Sequence, residues 1–120
     1  MIQEITEIKK TLKTFIGTDA YHQTVLPNVN CTDGVHYVRS ACDAFWLVDA
    51  IASYQPEFRE KAGFQVWTLK VNDERKGVLT MKEDSDKPDI IKQEFDYTDF
   101  PLDKMEMWCI DGIILLPSEY

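Results

Sequence analysis

The hydrophobic positions along this chain change period at Gly63. Before it they recur at three- and four-residue steps, and after it they alternate or run together. Ile2, Ile5, Ile8, Leu12, Phe15 and Ile16 predict an amphipathic helix over residues 2–16, with Glu4, Glu7, Lys9, Lys10 and Lys13 facing away and Gly17 as its stop. Residues 18–32 keep no period, and Pro27, Asn28 and Asn30 favour an irregular connection long enough to hold a short strand or to carry function. Thr32 or Asp33 then caps a second helix over 35–54, which ends at Gln55-Pro56 because proline pushes the preceding residue out of helical geometry. Phe58 to Lys61 adds at most one further turn.

Beyond Gly63 the pattern is that of antiparallel sheet. Trp67, Leu69 and Val71 share one face of a strand, while Phe64 and Val66 take the other parity, which implies a bulge or a strand covered on both sides. Leu79 and Met81 alternate with Val78, Thr80 and Lys82, and Ile91, Gln93, Phe95 and Tyr97 with Ile90, Lys92, Glu94 and Asp96. Asp111-Gly112, set between Met105–Ile110 and Ile113–Leu116, suits a two-residue hairpin turn whose central positions both need positive φ. The expected fold is α+β: an antiparallel meander of about five strands (residues 64–117) with two main helices (2–16, 35–54) packed on one face, in a single domain over residues 1–120.

One carboxylate breaks the pattern of the second helix. At 100° per residue from Val35, an arc from about 200° round to about 20° is filled by Val35, Tyr37, Val38, Ala41, Cys42, Phe45, Trp46, Val48 and Ala52. Asp49 falls inside it, at about 320°. A charged oxygen on a core-facing stripe costs several kcal/mol unless it is paired or neutralised. Asp49 is therefore expected to be mostly buried, bonded to Ser53 or an indole N–H as a structural anchor, or else open to a cleft as an acid or base.

Composition narrows the function classes. Three cysteines, Cys31, Cys42 and Cys109, are an odd number without a short pairing motif, which fits buried thiols in a reducing compartment. No apolar run reaches the roughly 18 residues of a membrane helix, and the first residues lack the order of a signal peptide, so a cytoplasmic protein with no membrane partner is expected. The net charge of −8 repels a phosphate backbone, so nucleic acid is not an expected partner. Between Glu83 and Asp111 stand ten Asp or Glu against three Lys, a local charge of −7 that suits a basic partner.

Chemistry-bearing motifs are sparse. His22 lies in the irregular segment with Asp19 and Tyr21 and is, with Asp49, one of two weak catalytic candidates. His36, Arg39 and Asp43 fall on the far side of the second helix and read as a solvated face. No metal is expected: there is no zinc-type spacing, and the Asp84, Asp86, Asp89 series has Asp89 and Phe95 where a calcium loop needs Gly and Glu. No Gly-x-Ser-x-Gly, activated cysteine or phosphate-cradling glycine loop occurs, so no cofactor is expected.

The string Thr32-Asp33-Gly34-Val35, the stretches Phe45 to Gln55 and Phe64 to Val71, and the ending Leu116-Pro117-Ser118-Glu119-Tyr120 resemble, as a set, a family of small bacterial proteins catalogued as a domain of unknown function. The likeness runs from about Phe15 to Tyr120. It implies a bacterial source and a chain complete at Tyr120, and it carries no activity, cofactor or site residue. Two readings remain open. One is a non-catalytic protein-interaction module with an acidic surface, docking a protein partner or a second copy; the other is a small enzyme or small-molecule binder with a helix–sheet pocket around Asp49.

Overall fold

A computed structural model describes residues 4–120. The elements run α1 (Ile5–Leu12), β1 (His22–Gln23), β2 (Asn30–Cys31), α2 (Asp33–Ala41), α3 (Phe45–Ser53), a one-turn α4 (Gln55–Phe58), β3 (Phe64–Val71), β4 (Gly77–Lys82), β5 (Ile91–Phe95), β6 (Lys104–Ile110), β7 (Ile113–Leu115) and a 3₁₀ turn (Pro117–Glu119). The α+β class is as expected, but the sheet is mixed and has seven strands in the order β1-β2-β7-β6-β3-β4-β5. It is not a simple meander, because β6 returns to the far side of β3 and β2 pairs in parallel with β7. The segment 18–32 thus supplies two short strands, an antiparallel pair that extends the sheet at its β7 edge.

The single helix expected over 35–54 is two. Asp43 takes φ +50, the left-handed geometry that a short polar residue tolerates, and the Ala44 N–H reaches back to the Arg39 carbonyl at 3.0 Å. This closing motif ends α2 and resets the phase of α3. Leu47, at about 120° on a single wheel and off its apolar arc, is 1% exposed. The first helix is also shorter than expected: α1 stops at Leu12, four residues before Ile16, which is exposed. The N-terminal part of the expected 2–16 helix, residues 2 and 3, lies outside the described residues.

The sheet has one covered and one open face. Trp67, Leu69, Leu79, Met81, Met107, Cys109 and Ile114 point into a core shared with Ile8 of α1, Val35 and Val38 of α2, and Leu47, Val48 and Ile51 of α3. The alternate positions Thr68, Lys70, Val78, Thr80, Lys92, Glu94 and Glu106 are half-buried or exposed. The register β3–β4 and β3–β6 is continuous, so the mixed parity of Phe64 and Val66 reflects the packing of both faces at that end and no bulge. Among the described residues no helix is long and apolar enough to cross a membrane.

The Asp111-Gly112 hairpin is as expected, with both φ values positive at +49° and +79°. A Cβ on Gly112 would also stand 2.7 Å from Arg59 Cζ. Gly112→Val should therefore destabilise the fold by about 1–2 kcal/mol. Urea unfolding checks this, and a midpoint equal to the parent's would contradict it.

Candidate functional site

The reset phase of α3 moves Asp49. Measured from Leu47, the buried residues Leu47, Val48, Ile51 and Ala52 fill about 0° to 140°, and Asp49 lies outside them at about 200°. It is half-buried. Of the donors expected for it, Ser53 Oγ donates instead to the Ala50 carbonyl at 2.6 Å, and the indoles of Trp67 and Trp108 donate to Gln65 and Glu106. Asp49 is thus a surface carboxylate without the anchoring bonds expected of it. Asp49→Ala should change stability by less than about 0.5 kcal/mol, and a loss of several kcal/mol on thermal or urea unfolding would restore the anchor.

His22 has the company that Asp49 lacks. Where β1 meets the start of α2, His22 Nε2 lies 2.8 Å from Asp33 Oδ1, and the Asp19 N–H donates to Asp33 Oδ2 at 2.9 Å. Thr18 Oγ accepts from the Asp33 N–H at 2.9 Å, so residues 18 to 22 are folded onto the α2 N-terminus. The His22 and His36 rings stack with centroids 4.2 Å apart and planes 10° apart. Behind them Arg39, expected on a solvated face, is 5% exposed. Its guanidinium donates to the Gln23 carbonyl at 3.2 Å and to His36 Nδ1 at 2.8 Å, and lies 4.8 Å over the Phe45 ring. The Arg39 Nε is buried with no partner. Since arginine only donates, His36 Nδ1 must accept, and the neutral ring carries its proton on Nε2.

The electrostatics of this cluster have a sign. The hydrogen bonds from His22 and from the Asp19 N–H hold the Asp33 carboxyl below its usual range. Burial, then the neighbouring His22 and Arg39, push His36 below the ordinary 6.5, against a smaller pull from Asp33. Both groups bind fewer protons folded than unfolded, so both favour the fold at neutral pH and lose that contribution on acidification, His36 below about 6.5 and Asp33 below about 3.8. The thermal midpoint should fall between pH 7 and pH 5, and His36→Gln should flatten that part of the profile. An unchanged slope in the variant would contradict this origin.

Chemically, the Asp33 carboxylate accepts from Nε2 of His22 and so fixes the orientation of that ring. Among the described residues no activated cysteine accompanies it. Burial pushes the Cys31 and Cys42 thiols up to about 11 and that of Cys109 to about 12, so none is a thiolate near neutrality. Among the described residues no group of three His, Cys, Asp or Glu is placed to hold a metal ion.

A second arrangement lies at the opposite edge of the sheet. Among the described residues β5 pairs only with β4, so one row of its backbone groups has no strand partner there. Beside it Phe95 packs on Trp46 of α3, ring centroids 5.2 Å apart, and with Tyr97, Thr98 and Asp99 they line a cleft of about 370 Å³. Tyr97 is 71% exposed and Phe45 46%. Exposed Asp96 and Asp99 flank the cleft, and Asp49 sits one turn along α3 from Trp46.

A family model matches residues 6–120, nearly the whole chain. The chain belongs to the family of unknown function DUF6876. No curated protein and no solved structure matches it. The membership therefore agrees with the resemblance carried by Thr32 to Val35, Phe45 to Gln55 and the C-terminal segment, and brings no activity to either arrangement.

Proposed function

We propose that this DUF6876 chain is a small, non-catalytic protein-interaction module that docks a basic segment along the β5 edge. The observation that carries this reading is the coincidence, at one edge, of an unpaired strand, an exposed aromatic cleft and carboxylates. An extended peptide can add to the free backbone groups of Ile91–Phe95 while its side chains enter the Trp46–Phe95–Tyr97 cleft. Asp96, Asp99 and Asp49 give that peptide its sign, as does the local −7 between Glu83 and Asp111. The other edge, β1, is two residues long and tied down by the His22–Asp33 contact, so it offers no comparable template.

The test is fluorescence anisotropy with a labelled peptide alternating lysine with valine, against one alternating glutamate with valine. The parent should bind only the basic peptide, more weakly as salt rises. Tyr97→Ala and Asp99→Lys should each weaken it several-fold. Equal behaviour of the two peptides, or of parent and both variants, would overturn the reading; a concentration-dependent dimer that buries β5 would replace the basic partner with a second copy.

A further inference from the structure

The open face of the sheet gathers lysines that the sequence scatters. Lys70 on β3 and Lys104 on β6 are directly opposite partners in the register, both at exposed positions of the strand alternation. Like charges so placed repel, and among the described residues no carboxylate lies within ion-pair distance of either. In a chain with 21 acidic residues that pairing is conspicuous. Lys82 stands on β4 opposite Val66, with Thr68 and Thr80 paired across the strands between the two positions. These side chains line a cleft of about 240 Å³. Three lysines outnumber its two carboxylates, of which Asp89 lies 3.8 Å from Lys82 and Glu106 accepts the Trp108 indole N–H at 2.9 Å. Past the end of β7, Lys9 and Lys13 of α1 adjoin Lys104 across a second cleft of about 450 Å³.

The geometry points to a binding site for a small polyanion, a molecule carrying two or more phosphate or carboxylate groups, on the face bearing Lys70, Lys104 and Lys82. The ammonium groups of Lys70 and Lys104 without counter-ions, that of Lys82 shared with Asp89, hydroxyl donors from the threonines and a shallow cleft form a cradle for oxyanions. The spacing favours more than one anionic group, since Lys70 and Lys82 are four residues apart in register, roughly 13 Å along the strands. The surroundings limit its length. Exposed Asp73, Glu74 and Asp103 lie at one end of the strands and Glu83, Asp84 and Asp86 at the other, so a nucleic-acid strand running past the patch would meet carboxylates at both exits. This site is separate from the β5 edge and does not depend on the peptide-docking reading.

The experiment is a titration of ¹⁵N-labelled chain at fixed ionic strength with tripolyphosphate, citrate and monophosphate. The amides of Thr68, Lys70 and Lys104 should shift saturably with tripolyphosphate or citrate, whichever binds tighter naming phosphate or carboxylate as the preferred group, and monophosphate should bind at least about tenfold more weakly. Lys70→Gln/Lys104→Gln should weaken polyanion binding about tenfold or more while raising the thermal midpoint in the absence of ligand, because the repulsion is gone. The midpoint doubles as a check that the variant folds. Shifts that do not saturate, shifts centred elsewhere, or equal affinity in parent and double variant would overturn the site.

Discussion

Gln65→Leu is expected to lower the unfolding free energy by about 3 kcal/mol, although leucine is close in size and more apolar. Gln65 is 1% exposed and points into the core from β3. Its Oε1 accepts from Gln55 Nε2 and from Trp67 Nε1, both at 2.8 Å, and its Nε2 donates to Gln55 Oε1 and to the Ala62 carbonyl, both at 3.0 Å. Gln55 is equally buried and also donates to the Ile51 carbonyl at 3.1 Å. One side chain thus satisfies an indole, an amide and a backbone carbonyl that have no water to turn to, and it ties β3 to α4 and the end of α3. Removing it strands the Trp67 indole N–H, the Ala62 carbonyl and Gln55 Oε1, at about 1–3 kcal/mol for each group left unsatisfied, partly relieved by relaxation. Urea unfolding measures the loss, and tryptophan fluorescence follows the same transition. A midpoint within error of the parent's would mean that the network is not closed.

Glu119→Ala should cost about 2 kcal/mol, a large effect for a residue next to the last. Its Oε1 accepts from Thr32 Oγ1 at 2.5 Å and from the Leu116 N–H at 2.9 Å, and its Oε2 accepts from the Gly34 N–H at 3.0 Å. The C-terminal turn therefore caps α2 with a carboxylate, satisfying an otherwise free helical N–H and placing negative charge at the positive end of the helix. Gly34 is needed for this approach, since a Cβ there would lie 2.6 Å from Leu116 Cδ1 and 2.7 Å from Glu119 Oε1. Glu119→Gln keeps an acceptor and should lose less than half as much. Thermal unfolding of the three proteins side by side decides it, and equal losses for alanine and glutamine would show that the charge alone matters.

What could be read before folding is what local chemistry decides. The Asp111-Gly112 turn, the Thr32 cap and the change of period at Gly63 each depend on residues within a few positions of one another, and each is present. The break at Asp43 was hidden because apolar residues continue on both sides of it at helical spacing, while one left-handed residue suffices to turn the axis. Asp49 and Arg39 then exchanged expected places: the carboxylate left the apolar arc, and the cation went under Phe45. β1 and β2 are two residues each, too short to show any period, and the parallel β2–β7 pairing joins positions 83 residues apart. His22 carried no spacing signal toward Asp33 and His36. The lysine face left only a faint trace: Lys70, Lys82, Lys92 and Lys104 each hold the outward parity of a strand, which becomes a pattern once the order β6-β3-β4-β5 is known.

The most direct test of the interaction reading is amide hydrogen exchange of the ¹⁵N-labelled chain, free and saturated with the basic peptide. Docking by strand addition predicts that the outward-facing amides of Ile91–Phe95 become protected, with movement of the Trp46 indole signal and little change at His22 and Gln23. Unchanged exchange in β5, or protection appearing at β1 instead, would contradict it.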